Sequence, residues 1–283
     1  MKADKLELSY EFFPPRTDAG KQTLARTRED LAQLNPAFFS VTYGAGGSTR
    51  ERTLETVLDI QHHSDVDACP HITCVCATNV EILDLVAQYR EQGIHRLVIL
   101  RGDPPSGMVG MGECRHAADL VRLIREHHGE HFTIAVAAYP EAHPDARNLL
   151  RDADNFAAKM AAGANLAITQ YFYNPDSYYH FLDLCEQRQV KQSIIPGIMP
   201  IANFANLSRF SRQCGAEIPR WVERTMIAYE DDIDSQQQFG IELVSRMTEQ
   251  LINNGAPGLH FYTMNQSALT RKIIENLNLT QTA

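Results

Sequence analysis

Leu97-Val98-Ile99-Leu100-Arg101-Gly102-Asp103-Pro104-Pro105 is the stretch on which the reading of the fold turns. Its four leading apolar residues read as a strand buried on both faces, the habit of parallel strands covered by helices. Arg101 and Asp103 then break the apolar run. Gly102 lets the backbone turn or approach a ligand closely, and Pro104-Pro105 ends the ladder. In barrels of alternating strands and helices, polar residues at the carboxyl ends of strands mark the functional face. Alone, the stretch also suits a plain structural role, with Asp103 capping a turn and Arg101 as its surface partner.

Outward from that strand the same rhythm repeats. Short β-prone runs at 9–13, 38–43, 70–75, 132–138, 164–170, 193–198 and 259–262 predict seven further strands. Helical patterns separate them, over 21–34, 48–60, 115–127, 149–162, 203–213, 235–254 and 266–277. Three start signals support the pattern. Ser48 with Glu51 and Thr78 with Glu81 read as capping boxes, and Asn174-Pro175 reads as a cap followed by a first-turn proline. Eight strand–helix alternations predict an α/β fold, a (β/α)8 TIM-type barrel with an extra helical segment over 219–229 between strands seven and eight. No linker or low-complexity stretch divides the chain, so residues 1–283 are expected to form one domain.

Composition narrows the class. A net charge of −9 argues against a nucleic-acid or anionic-membrane surface, because phosphate attraction needs a basic patch. The first residues lack the apolar core of a signal peptide and no apolar run is long enough to span a bilayer, which predicts a cytoplasmic protein. The six cysteines, Cys69, Cys74, Cys76, Cys114, Cys185 and Cys214, read mostly as reduced thiols within apolar runs. Cys69, His71, Cys74 and Cys76 match no common structural zinc spacing, so no metal site is expected there.

If the chain is a barrel, its strand ends converge on one mouth, at Glu11, Thr42, His71, Arg101, Asp103, Tyr139, Gln170 and Tyr262. One such residue is unremarkable, whereas polar groups at almost every strand end are the pattern of a reactive site. None of the lysines (Lys2, Lys5, Lys21, Lys159, Lys191, Lys272) ends a predicted strand, which disfavours a Schiff-base mechanism. Gly44-Ala45-Gly46-Gly47 lacks the third glycine of the dinucleotide fingerprint, because Thr49 stands there. Glu11, His71 and Asp103 could instead hold a divalent metal, making a metal-dependent lyase or hydrolase the rival chemistry. A barrel serving only as a binding scaffold would not require so many polar strand ends.

Eight separated motifs then occur in order: Glu11-Phe12-Phe13-Pro14-Pro15-Arg16, Val41-Thr42-Tyr43-Gly44, Pro70-His71, Leu100-Arg101-Gly102-Asp103, Ala138-Tyr139-Pro140-Glu141, Ala161-Ala162-Gly163-Ala164-Asn165 with Ile168-Thr169-Gln170, Pro196-Gly197-Ile198-Met199-Pro200, and His260-Phe261-Tyr262-Thr263. Through them the chain resembles the methylenetetrahydrofolate reductase family from end to end, in its short bacterial form with the catalytic barrel only. The resemblance implies an FAD-dependent, ping-pong reduction of 5,10-methylenetetrahydrofolate to 5-methyltetrahydrofolate by NADH or NADPH. It also implies a role in one-carbon metabolism and methionine supply, and a homo-oligomer with a tetramer as the expected form.

Carried over motif by motif, the resemblance makes Glu11 the general acid and places Asp103 against both folate and flavin. It assigns FAD contacts to Thr42, Tyr43, Ala45, His71, Arg101, Gly102, Asp103, Ala117, Tyr139, His143, Ala146, Asp152, Asn155 and Lys159. Substrate contacts fall to Asp103, Gln170, Asn206, Phe210 and Gln266. Three positions depart from the family's pattern. His116 stands where a Tyr is expected, Asn206 where the bacterial form often has Gln, and Gln266 where an Arg usually meets the folate tail. Losing that Arg should weaken attraction for a substrate carboxylate.

Overall fold

All strands of the sheet pair in parallel: β1 (Glu7–Phe12), β2 (Phe38–Val41), β3 (Ala68–Thr73), β4 (Arg96–Leu100), β5 (Thr133–Ala138), β6 (Leu166–Thr169), β7 (Ser193–Ile195), β8 (Gly197–Ile198) and β9 (Gly258–Tyr262). The computed structural model describes residues 6–43, 47–75, 77–102, 112–229 and 232–279. Spatial order is β7-β6-β5-β4-β3-β2-β1-β9-β8. β7 and β8 are two halves of the predicted seventh strand, parted at Pro196, which has no N–H to give a ladder. Because β7 pairs with β6 and β8 with β9, the split strand joins the two ends of the sheet, and the barrel closes. Gly197 N–H bonds Thr169 Oγ1 at 2.9 Å across the break.

Helices alternate with the strands: α1 (Asp18–Ala32), α2 (Gly47–His63), α3 (Asn79–Glu91), α4 (Ala117–His128), α5 (Leu149–Ala161), α6 (Pro175–Gln187), α7 (Phe204–Cys214), α8 (Arg220–Tyr229), α9 (Ile233–Asn253) and α10 (Ala268–Asn276). α8 is the expected extra segment. The Thr78–Glu81 capping box is present at α3, and Asn174 caps α6 with Pro175 in its first turn. The last helix begins two residues later than the pattern predicts. Met264 and Asn265 have φ of 52° and 56°, a left-handed pair that cannot continue into a right-handed helix.

Period-two alternation sorts the strand residues into two cores. One set, with Tyr10, Phe12, Phe39, Ile72, Ile99, Val136 and Phe261, packs between barrel and helices. The other is the small cluster of Phe38, Cys69, Val98, Ala135 and Ile168, at alternate positions that fill the barrel interior. Inward parity continues from Phe38, Cys69 and Val98 to Ser40, His71 and Leu100, one layer nearer the carboxyl ends. In β1 and β9 the register pairs Ser9 with Phe38 and His260, and Glu11 with Ser40 and Tyr262. Asp103, Ala45, Cys76 and the side chain of Ser48 lie outside the described residues. Among the described residues no helix is long and apolar enough to cross a membrane.

Candidate active site

At the carboxyl ends of the strands a cavity of ≈ 540 Å³ opens, with Glu11, Thr42, His71, Tyr139, Gln170 and Tyr262 in its wall. Val98, Leu100, Ile168 and Met199 supply apolar floor and sides, and Phe210 and Cys214 reach it from α7. The Glu11 carboxylate is mostly buried, and two imidazoles approach its Oε2. His71 Nε2 stands 3.3 Å away and His260 Nε2 3.6 Å away. Burial holds the His71 pKa below the usual histidine value, against the opposing pull of Glu11. Tyr262 donates to Thr169 O at 2.7 Å, across the break in the barrel wall. Gly197 makes that bond possible, since a Cβ there would lie 2.2 Å from Thr169 O and 2.6 Å from the Tyr262 ring. Tyr171 OH and Ser211 Oγ, 3.0 Å apart, tie the end of β6 to α7, the helix that carries Phe210.

A second cavity, of ≈ 510 Å³, lies outside the barrel between the ends of β4 and β5 and helices α4 and α5. Leu100, Ala137 and Tyr139 belong to both walls, so the two cavities adjoin. Here the single-mouth expectation is corrected. Leu100 points into the barrel, so the next residue, Arg101, points out of it and lines the second cavity with Gly102. Arg101 bonds Asp145 at 2.6 Å, and that guanidinium holds the Asp145 carboxyl below the usual range. Asp152 accepts from His143 N–H at 2.9 Å, and the His143 ring packs edge-on against Tyr139, 4.6 Å between centroids. Lys159 donates to the carbonyl of Ala137 rather than to a carboxylate, and burial pushes its pKa down to about 8.

The expected FAD residues therefore divide by cavity. Thr42, Tyr43 and His71 line the mouth, Tyr139 lines both, and Arg101, Gly102, Ala117, His143, Ala146, Asp152, Asn155 and Lys159 line the outer space, as does His116. Of the expected substrate residues, Gln170 and Phe210 line the mouth. Asn206 and Gln266 are exposed and line neither cavity. Asn206 Oδ1 instead accepts from Arg209 at 2.9 Å. Sequence reasoning passed over Asp145, Ser9 and His260 as site residues. The strand parity of Ser9 with Glu11 and of His260 with Tyr262 was the available signal. Asp103 and Ala45 lie outside the described residues, and with Asp103 so does the rival Glu11–His71–Asp103 metal set.

The chain matches the family model described as "Methylenetetrahydrofolate reductase" over residues 1–278. The chain belongs to the methylenetetrahydrofolate reductase family. Among curated relatives, the 5,10-methylenetetrahydrofolate reductase of Escherichia coli (strain K12) is 38% identical, the match covering 97% of this chain and 92% of the relative. Methylenetetrahydrofolate reductase (NADH) 1 of Arabidopsis thaliana is 34% identical over 96% of this chain, a match that spans 48% of the plant protein. A solved structure from Clostridium thermocellum, described as an uncharacterized protein that binds two copies of 5-methyl-5,6,7,8-tetrahydrofolic acid, has the same barrel. It superposes with a TM-score of 0.66 at 15% identity, covering 98% of this chain and 96% of that one. Family membership thus joins a barrel whose mouth, among the described residues, holds the Glu11 carboxylate and whose wall adjoins a side cavity lined by charges of both signs.

Proposed function

We propose that this chain reduces 5,10-methylenetetrahydrofolate to 5-methyltetrahydrofolate with NADH or NADPH as reductant, by a ping-pong route. Bound FAD would supply the hydride relay between the two substrates. The residues present fit such a group. Arg101, Arg122, His143 and Lys159 in the outer cavity suit a pyrophosphate. Of these, Arg101 and Arg122 already pair with Asp145 and Asp119, while Lys159 donates to the Ala137 carbonyl, lies over the Phe156 ring and feels the Asp152 charge. Gly102, at φ +80°, lies so close to Thr73 that a Cβ would stand 2.8 Å from the Thr73 Cβ, so no side chain narrows the passage there. The observation that carries the reading is the shared wall of Leu100, Ala137 and Tyr139 between a mouth that holds the Glu11 carboxyl and a side cavity that holds Arg101, Arg122 and Lys159 beside Asp119, Asp145 and Asp152.

In this reading Glu11 is the general acid. Opening the methylene bridge breaks a carbon–nitrogen bond, the electron pair stays on the departing nitrogen, and the Glu11 carboxyl proton neutralises it. The folate is left as an iminium whose methylene carbon accepts hydride. Glu11 fits the task because it is the ionisable carboxyl in the mouth wall among the described residues. Gln170 and Phe210 are proposed to bracket the space where nicotinamide and folate alternate, and Asp103 keeps its expected contact to both folate and flavin. The reading includes a cytoplasmic homo-oligomer serving methionine supply.

A visible spectrum of the purified protein tests the proposal. The expected result is a yellow protein, bleached by NADH or NADPH and recoloured by methylenetetrahydrofolate, with activity indifferent to chelators. A colourless protein active only with a divalent metal would reverse the choice in favour of the metal-dependent rival. Glu11→Gln should leave bleaching intact and slow recolouring roughly 100- to 10,000-fold, the usual range for general acid catalysis.

A further inference from the structure

Behind Glu11, deeper in the barrel, stands a polar pair that the proposed chemistry does not use. Ser9 lies two residues before Glu11 on the same strand face and is 2% exposed, and His260 beside it is wholly buried. Ser9 Oγ donates to Leu259 O at 3.4 Å and lies 2.8 Å from His260 Nδ1. A hydroxyl has one hydrogen. With that hydrogen turned to Leu259 O, the Ser9 lone pair accepts from His260 Nδ1–H. A neutral ring then carries its only proton on Nδ1, and Nε2 is a bare acceptor. Among the described residues that Nε2 has no hydrogen-bond partner, and it faces Glu11 Oε2 at 3.6 Å. Phe38 stacks on the ring at 5.9 Å and keeps it from turning away. A buried acceptor without a partner is costly, and a protonated Oε2 is the group within reach that relieves it.

We infer that Ser9 and His260 are positioning residues, with Ser9 fixing the His260 tautomer so that its bare Nε2 favours the protonated, proton-donating form of Glu11. The inference rests on Glu11 being the acid. The other groups facing Glu11 are His71 and Cys69 on β3 and Tyr262 on β9. Burial pushes the His71 pKa down and those of Cys69 and Tyr262 up, so all three are uncharged at neutral pH; His71 Nε2, 3.3 Å from Oε2 and also without a hydrogen-bond partner among the described residues, faces the same oxygen as His260.

Stopped-flow measurement of both half-reactions of the FAD-loaded enzyme across the neutral pH range tests it, with Ser9→Ala, His260→Gln, His260→Leu and Glu11→Gln in parallel. Ser9→Ala and His260→Leu should slow the folate half-reaction roughly ten- to a hundredfold and move its alkaline limb to lower pH, while flavin reduction keeps its rate. His260→Gln, whose amide oxygen can accept where Nε2 stood, should recover most of the loss. Where His260→Leu does not fold, Ser9→Ala decides. Equal rates and an unmoved alkaline limb in Ser9→Ala, beside a slow Glu11→Gln, would overturn the inference and leave Glu11 as the acid. A Glu11→Gln enzyme at the parent rate would remove the acid reading and this inference with it. Equal loss of both half-reactions in Ser9→Ala would show a merely structural role and also overturn it.

Discussion

Replacing Lys159 by Met should make the FAD-free protein more stable at neutral pH and weaken its hold on FAD. Lys159 lies largely buried in the wall of the outer cavity, and desolvation lowers its pKa from 10.5 to about 8. Between those values the unfolded chain binds more protons than the native one, so stability rises with pH through that window. Below it the whole penalty is present. A shift of this size corresponds to about 3 kcal/mol, an upper value because the side chain keeps some contact with water. Met keeps the length and the apolar stem but leaves the Ala137 carbonyl without its donor, which costs about 1–3 kcal/mol. The expected net gain at pH 7 is therefore about 1 kcal/mol, and it reverses to a loss by pH 10, where the native lysine is neutral. FAD binding should move the other way, weakened roughly tenfold or more by loss of a charge-assisted contact to phosphate. Urea unfolding of FAD-free protein at several pH values, with parallel FAD titrations, reads both effects. The reasoning is refuted if parent and variant show the same rise in stability between pH 8 and pH 10.

Three further outcomes are expected. Gly197→Ala should destabilise by about 1–3 kcal/mol or more and loosen the Tyr262–Thr169 contact, because both close neighbours of the new Cβ are backbone or a packed ring; thermal unfolding and folate affinity report it. Gln266→Arg should tighten folate binding only a few-fold without altering flavin reduction, since the position is exposed and solvent screens the new charge; identical folate dissociation constants would show that another residue meets the substrate carboxylate. Glu141→Gln should abolish a fall in stability between pH 4.5 and pH 7. Burial raises the Glu141 pKa from 4.5 to about 7, so the native state binds more protons than the unfolded chain in that window and loses stability as pH rises through it. The amide can still accept from Glu217 N–H, which Glu141 holds at 2.7 Å, so a variant with an unchanged pH profile would place the titration elsewhere.

The barrel was legible because its signals are local. Apolar runs such as 97–100 and caps such as Thr78 and Asn174 act within a few residues, and the structure has strand and helix where these placed them. The misses were also local in cause. The seventh strand is split at Pro196 by a missing N–H, and α10 starts late because Met264 and Asn265 take left-handed backbone angles. Strand-end polar residues were found as a set, but their single mouth became two adjoining cavities. Parity along β4 sends Leu100 inward and Arg101 outward, a distinction that a list of strand ends does not carry.

By itself, then, the sequence determined fold class, the helix caps at Thr78 and Asn174, and membership in the methylenetetrahydrofolate reductase family. Only the tertiary structure decided which groups meet. Glu11 lies 60 residues from His71 and 249 from His260 along the chain, yet closure of the barrel brings both imidazoles to one carboxylate oxygen. Ser9 meets His260 because β1 and β9 pair in one register, and a slip of one residue would turn Ser9 and Glu11 out of the barrel. Arg101 finds Asp145 across the β4–β5 gap, and Lys159 finds a carbonyl instead of a carboxylate. Charge, desolvation and proton position depend on neighbours distant in sequence, and those neighbours exist only once the sheet has closed.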